Sequence, residues 1–276
     1  MQHQVSLPRL DERLTPGQRF LLGLLVIFGH ALFLPFFVSA EGSPILPLII
    51  SPFAFILPPL IVARSMGVAV RASLAIHPVL PSQIGWCLLA GAGLVPAMGV
   101  LGALNAQWIE PSTEALEFME SMMPHGPAEW VGIVLAVGIL TPLGEELLFR
   151  GLLQDAARPA LGAAPAAVVV GLIFAAVHFQ PWYLLPLSIV GMTLGLVRMI
   201  TGSVLACAAV HAAYNIGMLA MGQFEASADA DGAVSATLIM VLAAIGLVVT
   251  WQALGRLRPV ATSLNADPPT RPYDQA

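Results

Sequence analysis

Long apolar stretches, separated by short connections, follow one another along most of the 276-residue chain. A helix needs about 20 mainly apolar residues to cross the hydrocarbon core of a membrane. Windows of that length predict eight spans, at residues 20–40, 45–63, 84–105, 130–156, 161–179, 182–200, 202–221 and 235–254. The pattern therefore predicts an all-α fold, namely a polytopic membrane bundle of about eight transmembrane helices.

Polar positions divide the chain into five predicted parts. These are a cytoplasmic N-terminal segment at 1–19, a transmembrane scaffold with an interfacial segment at 20–128, a membrane core at 129–222, a last loop and helix at 223–258, and a tail at 259–276. The tail is rich in polar residues and proline, which predicts disorder. Four glutamates of the scaffold recur at helical spacing, which is typical of an interfacial helix or of a solvated acidic face: Glu110, Glu114, Glu117 and Glu120.

Composition and charge agree with a membrane protein and indicate its orientation. The chain is 58% apolar and only 10% charged, and its mean hydropathy is +0.85. Arginines gather at span ends that share one side, so the positive-inside rule predicts a multi-pass cell-membrane protein with both termini in the cytoplasm. The net charge of −5 gives no basic surface for nucleic acid. Cys87 and Cys207 fall inside apolar spans, which argues against a disulfide framework.

The first span has two interpretations. Arginines followed by an apolar run that ends in Val38-Ser39-Ala40 resemble a cleavable signal peptide. The apolar run is longer than a typical signal-peptide core, and further spans follow it. We therefore expect an uncleaved signal anchor.

Two adjacent carboxylates and an arginine lie in the fourth span, where ionisable groups are costly and mark candidate functional sites. Glu146 and Arg150 are four residues apart, so a helix places them on one face in the favoured order for an ion pair. Glu145 projects about 100° away from Glu146 and has no basic residue three or four positions away. It can therefore face a cavity as a general base, or both acids can simply brace the helices.

Two histidines favour the catalytic interpretation. His178 and His211 each occur in an apolar span, and His211 and Asn215 share one helical face, one turn apart. A histidine and an amide can stabilise an oxyanion, and a second histidine can help a carboxylate to hold water. No serine has a Gly-x-Ser-x-Gly setting and no His-Glu-x-x-His run occurs, so water is the expected nucleophile.

In chain order, Glu145-Glu146-x-x-x-Arg150, Phe174-x-x-x-His178 and His211-x-x-x-Asn215 resemble the three motifs of the CAAX protease and bacteriocin-processing family. This family, also called CPBP or Abi, consists of intramembrane proteases. The resemblance covers residues of about 130–217 and marks 129–222 as a catalytic membrane core.

The resemblance implies an intramembrane endopeptidase that cleaves near the end of a peptide or membrane-associated protein, with membrane lipid as its other partner. By resemblance, Glu145 and His178 activate water, His211 and Asn215 stabilise the oxyanion, and Glu146 with Arg150 supports them. Relatives have been called metalloproteases. Zinc held by Glu145, His178 and His211 is therefore the alternative to the favoured mechanism, which requires no cofactor.

Two other functional classes fit a polytopic bundle. A non-catalytic immunity or scaffold protein would keep the fold, but it would not need Glu145 together with both histidines. A transporter could relay protons through an intramembrane glutamate–histidine set. Inverted repeats would favour that class, and the sequence shows none.

Overall fold

The computed structural model describes residues 7–38, 45–121, 123–124, 126–228 and 236–260, and in these ranges all regular structure is helical. Its α-helices are α1 (Pro16–Val38), α2 (Ile45–Ser65), α3 (Val70–Ser73), α4 (Pro81–Ala106), α5 (Thr113–Ser121), α6 (Pro127–Ile133), α7 (Thr141–Leu148), α8 (Gln154–Leu161), α9 (Ala163–Ala176), α10 (Leu184–Thr201), α11 (Val204–Ala228) and α12 (Ala236–Arg256). The expected all-α class is confirmed over these residues.

Five helical stretches of the described chain are long and apolar enough to cross a membrane, and three further apolar helices are shorter. The long stretches are Pro81–Ala106, Pro127–Leu161, Pro181–Thr201, Val204–Gln223 and Thr237–Arg256. The shorter ones are Pro16–Leu32, Ile49–Ser65 and Ala163–Ala176. A multi-pass membrane protein follows from these helices, whereas the count of eight crossings stays a prediction.

Three further predictions concern the end of the first span, the C-terminal tail and the glutamate-rich connection. The cleavage-like residues Ser39 and Ala40 and most of the tail, 261–276, lie outside the described residues. The glutamate-rich connection contains α5, whose residues are all exposed except the half-buried Ala115. Its helical form agrees with the spacing of the glutamates, while its contact with a membrane surface remains an expectation.

The bundle has two main apolar clusters. One joins α4, α10, α11 and α12 around Leu94, Val210 and Tyr214. The other joins α1, α2, α9 and the region around α7 at Phe149 and Phe174. The polar residues of α7 and α11 meet where these clusters adjoin, so the site lies inside the bundle.

Glycines allow the helices to approach closely, as is common where lipid surrounds a bundle. A Cβ atom on Gly191 of α10 would lie 2.6 Å from the carbonyl oxygen of Gly171 on α9. A Cβ atom on Gly144 of α7 would lie 2.8 Å from the carbonyl oxygen of Pro52 on α2. These contacts fix α9 against α10 and α7 against α2, and thereby fix the elements that carry the polar groups.

Candidate active site

The carboxylate pair lies on a helix that is interrupted twice. Residues Pro127–Leu161 form one helical run in which π-helical segments, Val134–Leu140 and Phe149–Leu153, flank α7. Such wider turns often occur at functional sites because they re-aim side chains and free backbone groups. Here they flank α7, which carries both acids, and the second segment carries Arg150.

Glu146 is the centre of a buried charged network. Its Oε1 atom accepts a hydrogen bond from Nη1 of Arg150 at 3.0 Å and lies 2.9 Å from Nδ1 of His211. The side chains of Glu146 and Arg150 are both fully buried. The ion pair expected from their spacing is therefore present, and Glu146 also contacts a histidine 65 residues away.

Arg150 is held from three sides. Its Nη2 atom donates to the carbonyl oxygen of Gly191 at 2.7 Å, in addition to the bond from Nη1 to Glu146. Its guanidinium carbon lies 4.8 Å from the ring centroid of Phe174, within cation–π range. These contacts compensate the positive charge and connect α7 to α9 and α10.

Glu145 is nearly buried, at 7% exposure, and points toward the other nitrogen of His211. Its Oε2 atom lies 3.8 Å from Nε2 of His211, which is too long for a direct hydrogen bond. Within the described part of the chain, this oxygen has no hydrogen-bond partner. His211 thus lies between two carboxylates that have different environments.

His178 follows the end of α9 instead of lying within it. Its Nδ1 atom lies 2.6 Å from the carbonyl oxygen of Phe174, one turn earlier. Because a carbonyl oxygen only accepts, Nδ1 carries a hydrogen, and in the neutral ring Nε2 keeps its lone pair. The Phe174 ring contacts both histidines, with centroids 4.6 Å from His178 and 5.5 Å from His211.

Asn215 lies one turn after His211 on α11, as its spacing requires. Its Nδ2 atom donates to the carbonyl oxygen of Val137 at 3.0 Å, in the first π-helical segment. One amide hydrogen is therefore occupied by the backbone of the run that carries Glu145. The second amide hydrogen is the one that an oxyanion would use.

The structure thus joins Glu145, Glu146, Arg150 and His211 directly, and links His178 to them through the Phe174 ring. Sequence reasoning assigned no role to Phe174, although its position four residues before His178 placed both on one helical face. It also gave no role to the carbonyl groups of Gly191 and Val137. Nothing in a sequence marks a backbone acceptor that lies on a distant helix.

A three-ligand metal site would require three of these side chains to converge. Among the described residues, no three histidine, cysteine, aspartate or glutamate side chains lie close enough together to hold a metal ion. Glu145 and His211 face each other, but His178 does not complete a three-ligand set with them in this geometry. The residues as arranged here therefore do not fit the three-ligand zinc site.

Residues 127–217, about a third of the chain, match the family model described as Type II CAAX prenyl endopeptidase Rce1-like. Comparison with curated proteins and with solved structures finds no significant match. The matched segment contains all six candidate residues, from Glu145 to Asn215. It confirms the family resemblance that the three motifs carry, and the matched family is one of peptidases.

Proposed function

Because residues 127–217 match the Rce1-like family, we propose that the protein is a CAAX-type intramembrane endopeptidase that uses water as its nucleophile. The observation that carries the proposal is the position of His211 between two buried carboxylates, one of them neutralised by Arg150. A structural brace needs the Glu146–Arg150 pair alone. It does not need Glu145, whose Oε2 atom has no partner in the described structure.

Glu145 is proposed as the general base, with His178 as its assistant. The Glu145 carboxylate can accept a proton from water, and the lone pair on Nε2 of His178 can accept a hydrogen bond from the same water. The oxygen of the water then bonds to the carbonyl carbon of the substrate. This step produces a tetrahedral intermediate with one negatively charged oxygen.

His211 and Asn215 are proposed to stabilise that oxygen. This role needs a hydrogen on Nε2 of His211, while the Glu146 carboxylate lies 2.9 Å from Nδ1 on the other side of the ring. Nε2 of His211 and Oε2 of Glu145 are 3.8 Å apart and not bonded to each other, so both can contact a third atom that lies beside them. Collapse of the intermediate breaks the carbon–nitrogen bond, and the proton on Glu145 passes to the leaving amine.

The proposed mechanism requires no metal, because Glu145 itself accepts the proton of the attacking water. Its substrate class is a peptide or membrane-associated protein cleaved near its end, and the similarity to CAAX prenyl endopeptidases suggests prenylated CAAX sequences. Membrane lipid is the surrounding medium. The alternative mechanism, with zinc held by Glu145, His178 and His211, needs these three side chains to lie closer together than they do in this arrangement.

Quantitative membrane proteomics tests this function. Cells with the wild-type chain and cells with Glu145→Gln are compared for new peptide ends, and a matched Glu117→Gln variant changes an exposed glutamate of α5. We expect a small set of new ends in wild-type and Glu117→Gln cells that is missing in Glu145→Gln cells. If the three sets are identical, the non-catalytic scaffold or immunity function becomes the better explanation.

A further inference from the structure

The segment between α9 and α10, residues 177–183, carries His178 but has little helical structure of its own. Only its last three residues, Pro181–Tyr183, form a 3₁₀ turn. Phe179, next to His178, has a φ of 53°, in the left-handed region that residues other than glycine rarely adopt. Such a conformation persists only where the surrounding structure holds it. The contacts that hold residues 177–183 therefore matter for where His178 lies.

Asn105, near the end of α4, makes one of these contacts and a second one to the start of α10. It is 7% exposed; its Nδ2 atom donates to the carbonyl oxygen of Pro181 at 3.4 Å, and its Oδ1 atom accepts from the backbone N–H of Leu185 at 3.0 Å. The first N–H groups of a helix have no partner within it, and Tyr183, the N-cap residue of α10, provides no side-chain cap. Asn105 thus caps α10 from another helix.

Tyr183 adds a second link to α4. Its ring packs on Gly102, where an added Cβ atom would collide with it, and its hydroxyl donates to the carbonyl oxygen of Met98 at 3.3 Å. Met98, Gly102 and Asn105 are spaced by four and three residues, so they share one face of α4. The Tyr183 hydroxyl also lies 3.1 Å from that of Tyr214.

Tyr214 lies three residues after His211 on α11, so it connects the segment 177–183 to the helix of the second histidine. From these contacts we infer that Asn105 and Tyr183 are positioning residues that hold His178 in register with His211. Asn105 lies outside the matched residues 127–217. The kinetic consequence of this inference depends on the proposed function, whereas the structural consequence does not.

Two variants test the inference in the full-length protein. Asn105→Leu removes both hydrogen bonds and keeps the number and branching of the side-chain heavy atoms, and Tyr183→Phe removes the hydroxyl while the ring stays on Gly102. The matched control is Thr250→Val, which removes another buried bond to α4, from Thr250 to the carbonyl oxygen of Ala90 at 3.1 Å. Hydrogen exchange of the backbone amides of residues 179–187 measures directly how firmly the segment is held. The rate of cleavage of a farnesylated CAAX peptide reports its consequence.

We expect both variants to raise hydrogen exchange over 179–187 and to lower kcat by about 10- to 100-fold, because small misplacements of a reacting group cost this much. KM should stay within about twofold of the wild-type value, since displacement of a catalytic group alters the chemical step and not substrate binding. Thr250→Val should change neither exchange nor kcat. A loss of kcat equal to that of the control, or unchanged exchange in both variants, would overturn the inference.

The two proposals fail differently. If the wild-type protein cleaves no peptide, the proposed function fails, and the exchange measurement still decides whether Asn105 and Tyr183 hold the segment. If the wild-type protein is active and exchange rises in both variants without any fall in kcat, the positioning role is wrong. In that case Glu145 and His211 can still be catalytic.

Discussion

Replacing Arg150 by methionine should destabilise the protein more than any change to an exposed arginine. Arg150 and Glu146 are fully buried and 3.0 Å apart, so Arg150→Met leaves a buried carboxylate without its cation. Breaking a buried ion pair in this way costs about 3–5 kcal/mol. The bond from Arg150 to the carbonyl oxygen of Gly191 is lost as well. The range of about 3–5 kcal/mol already includes the loss of this bond.

The assay is reversible denaturation by SDS in mixed micelles, with the free energy of unfolding as its readout. Arg64→Met is the matched control, because Arg64 is exposed near the end of α2, and such changes usually lie within about 0.5 kcal/mol. The double variant Glu146→Gln with Arg150→Met removes both charges and should recover part of the lost stability. Equal unfolding free energies for Arg150→Met and Arg64→Met would refute a structural ion pair.

Three further outcomes are expected. In unfolding measurements, Gly191→Ala should destabilise the protein at the crossing of α9 and α10, because its Cβ atom would lie 2.6 Å from the carbonyl oxygen of Gly171. The control Gly85→Ala meets nothing within 4 Å and should be neutral or stabilising. The positive-inside rule predicts that Gln180→Cys reacts with an impermeant thiol reagent in intact cells; reaction only after permeabilisation would reverse this orientation. Purified active protein should contain well under one zinc per chain and survive strong chelation; stoichiometric metal, with activity lost on chelation and restored by zinc, would favour the metal mechanism.

The length of the apolar stretches predicted much of the helical framework. The spans expected at 84–105, 182–200 and 202–221 correspond closely to α4, α10 and α11, because each is a continuous apolar run. The Glu146–Arg150 pair also followed from sequence, since spacing by four residues determines contact on a helix.

The rest of the site depends on contacts that spacing does not encode. The bond between Glu146 and His211 joins residues 65 positions apart, and the bond from Asn215 to Val137 joins residues 78 positions apart. Both depend on how α11 packs against the helical run of Pro127–Leu161. The π-helical segments of that run have no clear signal in an apolar sequence. The sequence therefore identifies the candidate residues. Helix packing determines that Glu146 bonds to His211 and that Glu145 lies near it without a bond.

Asn105 is another residue whose partners the sequence does not predict. It is a single amide near the end of an apolar span, and polar groups there need a partner because lipid provides none. That argument predicts that Asn105 is bonded but does not name Pro181 and Leu185 as its partners. Only the arrangement of α4 beside the start of α10 does so.

In the proposed mechanism, Glu145 activates the water that hydrolyses the peptide bond. Its most direct test is the single-turnover rate of farnesylated CAAX peptide cleavage by purified Glu145→Gln, compared with the wild-type protein and with Glu117→Gln. We predict a rate at least about 100-fold lower for Glu145→Gln, with unchanged unfolding, since loss of a general base typically costs about 10²–10⁴-fold. A Glu145→Gln protein that cleaves the peptide at nearly the wild-type rate would contradict the claim.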